Sequence, residues 1–207
     1  MAKPSSIQAS SLEDLRIEVL LTMNLMELWP EDELSKLHLI QLGVLRRNAT
    51  QRHGVTRFKR GRFSETLHFE DVETVDIHPY LLSQEWFDYA RFVLYHEFLH
   101  VLGMRFHNAA FRGVESLWPH RGADQGKAFT QHLRQLSADW LWTCTTCEHQ
   151  YPRKKRSNGR YKCRTCSTVL IDIENVGAHV EVVVVFVSLL HRMPNQPKFN
   201  IISIKTQ

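Results

Sequence analysis

The sequence predicts a protein of the α+β class, in which a small metal-binding module follows the main domain. Three observations support this fold class. Apolar residues recur at helical spacing in two long segments, near residues 12–28 and 84–102. Short runs at residues 55–58, 66–69 and 74–77 have the composition of strands and lie between these helices. Four cysteines follow in the pattern C-x2-C-x15-C-x2-C.

The chain has 207 residues, of which 43% are hydrophobic and 23% are charged, as in a globular domain with a small appendage. No apolar run reaches the roughly 18 residues of a membrane span, so we expect no membrane partner. Residues 1–20 lack the basic and apolar regions of a secretory signal. We therefore expect an intracellular, cytoplasmic protein whose cysteines are reduced or bound to metal. The sequence does not indicate an oligomeric state.

The amino-terminal part is predicted to contain two helices. Residues 1–10 are small and polar, and we expect them to be disordered. The first helix is predicted to begin at the capping-box pattern that starts at Ser11 and to continue to about residue 28. Trp29-Pro30 interrupts it, and a second helix is predicted from Pro30 through Leu45.

The central predicted helix runs from about residue 84 to Leu102 and ends at Gly103. It contains the pattern His-Glu-x-x-His at residues 96–100. Two histidines four residues apart lie about 40° apart around a helix and roughly 6 Å along it, so both rings can reach one metal ion. Glu97 can then meet a water molecule on that metal. The alternative is a buried helix whose histidines are satisfied without metal, but the flanking apolar residues and the following glycine favour a metal site.

A catalytic zinc needs a third protein ligand. The candidates are His107, Glu115, Asp124, His120 and His132. A metzincin pattern would require histidine at the position of Phe106, and His107 comes one residue late. Glu115 is the available glutamate of a thermolysin-like arrangement, with Asp124 as a substitute. His120 and His132 are fallback ligands whose simpler interpretation is surface histidines.

The four cysteines predict a second, structural zinc site. Cys144, Cys147, Cys163 and Cys166 form two C-x-x-C knuckles at a separation typical of zinc ribbons. Four thiolates fill a tetrahedral zinc and leave no position for water. Two disulfides would conflict with the expected intracellular setting. We place this ribbon at residues 143–173, after helices predicted at about 108–118 and 126–142. Residues 174–207 form a tail of unknown role, with a Val-rich run at 180–190 that suggests a strand.

The segment between the knuckles is strongly basic. Residues 144–166 contain seven Lys or Arg and one acidic residue, Glu148, whereas the net charge of the whole chain is +4. A hairpin is predicted at Asn158-Gly159, and Tyr151 and Tyr161 lie beside it. The segment is either a solvated basic turn or a surface for nucleic acid. The candidate nucleic-acid-binding residues are Arg153, Lys154, Lys155, Arg156, Arg160 and Lys162.

Residues 45–172 resemble the SprT-like family of zinc metallopeptidases. The resemblance rests on His-Glu-x-x-His at 96–100, on His107-x-x-x-Phe111, on Trp118-Pro119 and on the cysteine ribbon. Asn108 replaces the Gly or Ser that often follows the third histidine, and Gln125 stands where a histidine would be wanted.

The resemblance implies a zincin-like (minigluzincin) domain over residues 11–142, with its active helix against a small sheet. It implies one catalytic zinc held by His96, His100 and His107, in addition to the structural zinc of the ribbon. Glu97 would be the general base for hydrolysis of protein substrates, and the family includes DNA-repair proteases that act on proteins crosslinked to DNA. The rival hypothesis is a nucleic-acid-binding zinc-ribbon protein with a catalytically idle zincin domain. Glu97 favours the enzyme, because an idle domain has no need of a base there.

Overall fold

The computed structural model describes residues 3–59 and 68–176. Its helices and two three-stranded sheets form an α+β structure, as predicted. In chain order the elements are α1 (Ser6–Leu25), α2 (Glu31–Leu37), β1 (Leu42–Val44), β2 (Gly54–Phe58), β3 (Val72–Ile77), α3 (Phe87–Val101), α4 (Ala109–Glu115), α5 (Gly126–Ser137), β4 (Trp140–Thr143), β5 (Gln150–Arg153) and β6 (Ile171–Glu174). Among these helices, none has the length and apolar character needed to cross a membrane.

Helix α1 begins at Ser6, so the predictions of disorder through residue 10 and of a start at Ser11 are wrong. The capping box is formed six residues before Ser11, between Ser5 and Gln8, whose side chains each accept a hydrogen bond from the other's backbone N–H. Ser11 lies inside the helix, and its hydroxyl donates to the carbonyl of Ile7. The same Ser-x-x-acceptor signal therefore occurs twice, and the earlier copy caps the helix.

Helix α2 ends at Leu37, and the predicted continuation through Leu45 is wrong. The buried guanidinium of Arg16 on α1 donates to the carbonyls of Leu37, His38 and Ile40, with a distance of 2.8 Å to Ile40. These bonds satisfy carbonyls at the end of the helix, so the chain can turn away from it. It then forms β1, which pairs with β3 in parallel.

The first sheet has the order β1-β3-β2, with β2 antiparallel to β3. The strands predicted at 55–58 and 74–77 are confirmed. Of the strand predicted at 66–69, residues 66 and 67 lie outside the described residues, and Phe69 begins a turn of 3-10 helix instead. Among the described strands β2 pairs only with β3, which leaves it at the edge of the sheet beside α3.

Helix α3 lies in the core between α1 and the sheet. Its predicted first turn is 3-10 helix at Gln84–Trp86, and α-helix follows from Phe87 to Val101. Gly103 has φ +94°, the left-handed conformation predicted for the residue after this helix. The side chains of Leu94, Phe98 and Leu99 are completely buried, so the helix that carries the metal motif is held rigidly.

The second sheet has the order β5-β4-β6 and begins inside the segment predicted as helix 126–142. Helix α5 ends at Ser137, because the Asn175 side chain donates to the carbonyls of Gln135 and Ala138. The second sheet therefore extends from Trp140 to Glu174 and overlaps the segment predicted as a ribbon at residues 143–173. The strand predicted at 180–190 lies outside the described residues.

Candidate metal centres

Three imidazoles converge on one point at the carboxyl end of α3. The Nε2 atom of His107 lies 3.0 Å from Nε2 of His96 and 3.1 Å from Nε2 of His100. Two nitrogens bound to one tetrahedral zinc at 2.0–2.1 Å are about 3.3 Å apart, so the observed spacing is close to that of a zinc site. The three histidines form a group that could hold a metal ion.

Helix α4 and the turn before it position the third imidazole. The turn passes from Gly103 to Asn108, whose side chain accepts a hydrogen bond from the backbone N–H of Phe111 and so begins α4. Phe106 stands at the position where a metzincin pattern would require a histidine ligand, and its side chain is 62% exposed. The one-residue offset of His107 is thus accommodated by this turn.

Phe111 is the common support of the three histidines. Its ring is completely buried, and its centroid lies 4.7–4.9 Å from the ring centroids of His96, His100 and His107. This contact gives the sequence pattern His-x-x-x-Phe a physical meaning, because one aromatic ring fixes the separation of three donor groups.

The alternative ligands lie elsewhere or have another role. Asp124 is exposed, and the Nε2 atom of His120 lies 3.1 Å from the hydroxyl of Thr22. His132 packs against Trp86 and Tyr80. None of the three belongs to the histidine group, and Glu115 contacts this group from outside.

Hydrogen bonds at Nδ1 orient two of the rings. Glu115 accepts from Nδ1 of His96 at 2.5 Å, and it also accepts from Arg112 at 2.6 Å. Nδ1 of His100 donates to the carbonyl of Met104 at 2.7 Å. Because a carbonyl can only accept, the neutral His100 ring carries its proton on Nδ1 and presents a lone pair at Nε2. Such outer contacts commonly fix the tautomer of metal-binding histidines.

The electrostatics of the site favour neutral imidazoles. Burial lowers the pKa of His100 to about 4 and also lowers the pKa of His96, although the hydrogen bond to Glu115 opposes the latter shift. Burial disfavours ionisation of Glu115, but the hydrogen bonds from Arg112 and His96 outweigh it and lower the pKa of that carboxyl. Unprotonated imidazoles beside an ionised carboxylate have the protonation states that metal binding requires.

Glu97 is a buried carboxylate that lines the same cleft as His96. Its side chain accepts a hydrogen bond of 2.8 Å from the hydroxyl of Thr56 on β2. Burial raises the pKa of Glu97 to about 7, against the opposing effect of Thr56. A carboxyl with a pKa near neutrality can both accept and return a proton, which suits a general base.

A cleft opens beside Glu97, between β2 and the first half of α3. It has a volume of about 290 Å³ and is lined in part by His53, Gly54, Tyr89 and His96. A Cβ atom at Gly54 would lie 2.8 Å from Oε1 of Glu97 and 2.8 Å from Cγ1 of Val93. The absence of a side chain at Gly54 therefore allows the strand to approach the carboxylate closely.

One wall of the cleft is fixed by a chain of hydrogen bonds. The hydroxyl of Thr130 donates to the carbonyl of Gly126 at 2.9 Å, so it accepts the 3.0 Å bond from Nε2 of His53. Nδ1 of His53 must then accept from the hydroxyl of Tyr89 at 2.6 Å. These bonds join α3, α5 and the start of β2 around the cleft.

The four cysteines form the second group that could hold a metal ion, and they are free thiols. Their two knuckles have the same backbone geometry. In each, the residue four positions after the first cysteine donates to that cysteine's carbonyl, and this residue, Glu148 or Ser167, has positive φ. The sulfur atoms of Cys147 and Cys163 lie 3.7 Å apart. Two thiolates on one tetrahedral zinc at 2.3 Å are about 3.8 Å apart, so the group fits a closed structural site.

Tyr151, predicted as a stacking residue for nucleic acid, instead supports the cysteine site. Its hydroxyl lies 3.5 Å from the sulfur of Cys163 and accepts a hydrogen bond from the backbone N–H of Arg164. The hydrogen bond from Tyr151 lowers the pKa of the Cys163 thiol to about 6, with further help from backbone N–H groups. A low pKa makes this sulfur a better metal ligand at neutral pH.

The predicted basic residues lie on the exposed surface of the ribbon. Ser157 and Arg160 close a turn in which Asn158 and Gly159 both have positive φ. The predicted hairpin is not formed here, because among the described strands β5 and β6 both pair with β4 instead. Tyr161 is 52% exposed and stacks on Trp142 with a centroid distance of 4.5 Å. The side chains of Arg153, Lys154, Lys155, Arg156, Arg160 and Lys162 are all exposed.

Two of these arginines already contact aromatic rings within the ribbon. The guanidinium of Arg156 lies 4.0 Å from the ring centroid of Trp140, and that of Arg153 lies 5.1 Å from Trp142. The sequence did not identify these contacts. The tryptophans lie at the end of the segment predicted as a helix, and only the pairing of β4 with β5 and β6 brings them under the basic turn.

Thr56, Gly54 and the supporting role of Glu115 were also missed by sequence reasoning. Glu115 is 19 residues from the histidine that it contacts, and Thr56 is 41 residues from Glu97. No local spacing rule connects residues so far apart. No protein-family model matches this chain, and neither a curated protein nor a solved structure matches it significantly.

Proposed function

We propose that the protein is a zinc metallopeptidase of the SprT-like type, built on a zincin-like domain. The observation that carries this proposal is that the buried Glu97 carboxylate lines the same cleft as His96, one of the three converging imidazoles. A structural zinc site requires no carboxylate with a pKa near 7, whereas metal-assisted hydrolysis requires a base.

The donor set fits zinc. His96, His100 and His107 would hold the ion through Nε2. The hydrogen bonds to Glu115 and to the Met104 carbonyl would fix the orientations of the His96 and His100 rings. Zinc bound by three histidines acts as a Lewis acid and lowers the pKa of water to about 7.

In the proposed reaction Glu97 accepts a proton from the attacking water and later donates it to the leaving amine. The hydroxyl of Thr56 holds one carboxylate oxygen, which leaves the other oxygen free to exchange the proton. The close approach of Gly54 to Oε1 fixes the position of that second oxygen. The pKa of about 7 allows Glu97 to serve in both steps near neutral pH.

An extended polypeptide is the substrate class that this geometry favours. Strand β2 has no described partner on the side opposite β3, and it carries Gly54 and Thr56 beside the carboxylate. A substrate backbone can add to such an edge through main-chain hydrogen bonds. The cleft of about 290 Å³ would then accept a side chain close to the scissile bond.

The ribbon favours proteins bound or crosslinked to DNA among these substrates. Its exposed cations lie beside the stacked rings of Trp142 and Tyr161, a combination suited to phosphates and unpaired bases. The same observation supports a second candidate function, a nucleic-acid-binding protein whose zincin domain is catalytically idle. Glu97 separates the two functions, because only the peptidase depends on it.

The test compares the wild-type chain with Glu97→Gln, using a DNA-bound protein as substrate and saturating zinc. We expect the variant to lose at least about 100-fold in cleavage rate while it keeps its zinc content. Asp124→Asn is the matched control, because it neutralises an exposed carboxylate outside the histidine group. Equal cleavage by wild type and Glu97→Gln would reject the peptidase and leave the DNA-binding function.

A further inference from the structure

Helix α1 has an apolar side that the described residues leave uncovered. Ile17 and Leu21, one turn apart, are 47% and 61% exposed, and both line clefts. A cleft of about 450 Å³ lies between Ile17 and the side chains of Leu82 and Phe87. A second cleft, of about 300 Å³, lies between Ile17, Leu21 and Leu34 of α2. We call Ile17, Leu21, Leu34, Leu82 and Phe87 the α1 groove.

The edges of the α1 groove are acidic. Asp14 and Glu18 line the first cleft, and Glu31 lines the second. Glu18 pairs with Arg91, whereas Asp14 and Glu31 make no ion pair with any residue that the structure describes. An apolar surface with acidic edges fits a segment that is apolar in its middle and basic at its end.

The chain itself contains such a segment. Residues 177–207 lie outside the described residues, and their sequence contains nine apolar side chains among residues 180–190. Glu181 is the only acidic residue after Val176, whereas Arg192, Lys198 and Lys205 follow the apolar run. A run of this composition needs a partner surface, because exposed segments of high β-propensity and low charge aggregate.

The α1 groove lies within reach of this segment. The side chain of Asn175 donates to the carbonyl of Ala138. Ala138 comes six residues after His132, which corresponds to about 9 Å along the axis of α5. The ring of His132 is 5.3 Å from that of Trp86, whose neighbour Phe87 lines the groove. By this path the groove begins roughly 25 Å from Asn175. The eight residues 176–183 span about 26 Å when extended, so the apolar run can reach the groove from residue 183 onward.

We propose that the α1 groove binds the part of the chain's own apolar run that reaches it, residues 183–190. The apolar side chains of this run cover Ile17 and Leu21, and Arg192 and Lys198 meet the acidic edges at Asp14 and Glu31. The assignment is independent of the proposed catalysis, because the groove shares no residue with either metal centre.

Hydrogen exchange measured by mass spectrometry on the full chain tests this proposal. In the wild type we expect the amides of residues 183–190 to exchange at least tenfold more slowly than in a synthetic peptide of the same sequence. Double substitution Ile17→Asp/Leu21→Asp should remove this protection. Ile7→Asp is the matched control, since Ile7 is 79% exposed on the same helix but lies outside the groove.

Three outcomes would overturn the proposal. Exchange at 183–190 could be as fast in the wild type as in the free peptide, or equally slow in the groove variant. Protection could also disappear on dilution together with a fall in molar mass, which would assign the groove to a second copy of the chain. Ile17→Ser/Leu21→Ser, a milder pair at exposed positions, gives the same comparison if the aspartates disturb α1.

Discussion

The carboxylate of Glu115 on α4 accepts a hydrogen bond of 2.5 Å from Nδ1 of His96 on α3. This bond connects the two helices that carry the candidate zinc ligands and their support. It leaves the Nε2 lone pair of His96 directed at the point where the other two imidazoles converge. The strength of metal binding should therefore depend on a residue that is not itself a ligand.

Replacement of Glu115 by glutamine should weaken zinc binding at the histidine site by about 10–100-fold. The variant loses the negative charge that orients His96 and favours its metal-bound form. Zinc affinity measured by competition with a chromophoric chelator checks this expectation. Asp124→Asn should leave the affinity unchanged, and an unchanged affinity in Glu115→Gln would show that the hydrogen bond has no effect on the metal.

Substitution Gly54→Ala should disturb the carboxylate of Glu97. The added methyl group would lie 2.8 Å from both Oε1 of Glu97 and Cγ1 of Val93, so side chains must move. We expect a loss of about 1–3 kcal/mol in the free energy of unfolding and reduced cleavage activity. Denaturant unfolding and the cleavage assay measure the two effects.

Gly113→Ala on α4 is the control for this substitution. A Cβ atom at Gly113 meets nothing within 4 Å, and alanine is the better helix former. This variant should be as stable as the wild type or more stable, by up to about 1 kcal/mol. An equal change in the free energy of unfolding for the two alanine variants would show that the close approach of Gly54 to Glu97 does not affect stability.

His78 should make the stability of the fold depend on pH. Its side chain is completely buried, and its Nδ1 accepts a hydrogen bond from the backbone N–H of Tyr80. Burial lowers its pKa to about 4 in the folded state, from 6.5 in the unfolded state. Between these two pKa values the unfolded chain binds more protons than the folded protein. The contribution of His78 to stability is therefore complete above pH 6.5 and declines as the pH falls toward 4.

His78→Asn isolates this effect, because the amide oxygen can replace Nδ1 as an acceptor and does not titrate. Urea unfolding at a series of pH values should show a shallower loss of stability in the variant between pH 6.5 and 4. Parallel curves for the two proteins would mean that His78 does not contribute to the pH dependence.

Substitution Cys163→Ser should reduce the zinc content of the full chain from about two ions to about one. The ribbon should lose its fixed structure, because the four thiolates connect its knuckles around a small core that contains Trp142. Metal analysis and tryptophan fluorescence report the two changes. Retention of both ions in Cys163→Ser, or loss of both, would contradict two independent zinc sites.

Replacement of Arg160 by alanine should weaken binding to single-stranded DNA and lower its dependence on salt. The Arg160 side chain is exposed on the basic turn and makes no ion pair within the described part of the chain. Removal of one phosphate contact should reduce the slope of log K against log salt by about 0.7. Arg121→Ala, an exposed cation outside the ribbon, should change neither quantity. A slope unaffected by Arg160→Ala would exclude this turn from the DNA-binding surface.

Local patterns predicted the central helix with His96 and His100 and the cysteine group, and the family resemblance added His107. Their spacing is set by helix periodicity and by short knuckles, so residues close in sequence determine them. Errors arose where distant residues decide the outcome. Arg16 ends α2 from 21 residues away, and Asn175 ends α5 from 37 residues away. Sequence periodicity could not indicate either contact, and it extended both helices too far.

Phe111 and Glu115 both belong to α4, a helix of seven residues. A helix this short does not persist alone in water, so its order comes from its contacts with the rest of the protein. In one of these contacts the ring of Phe111 packs against the three imidazoles, and in another the carboxylate of Glu115 orients His96. Docking of α4 and loading of the histidine site are therefore coupled equilibria. Zinc should stabilise this helix, and any change that releases the helix should release the metal.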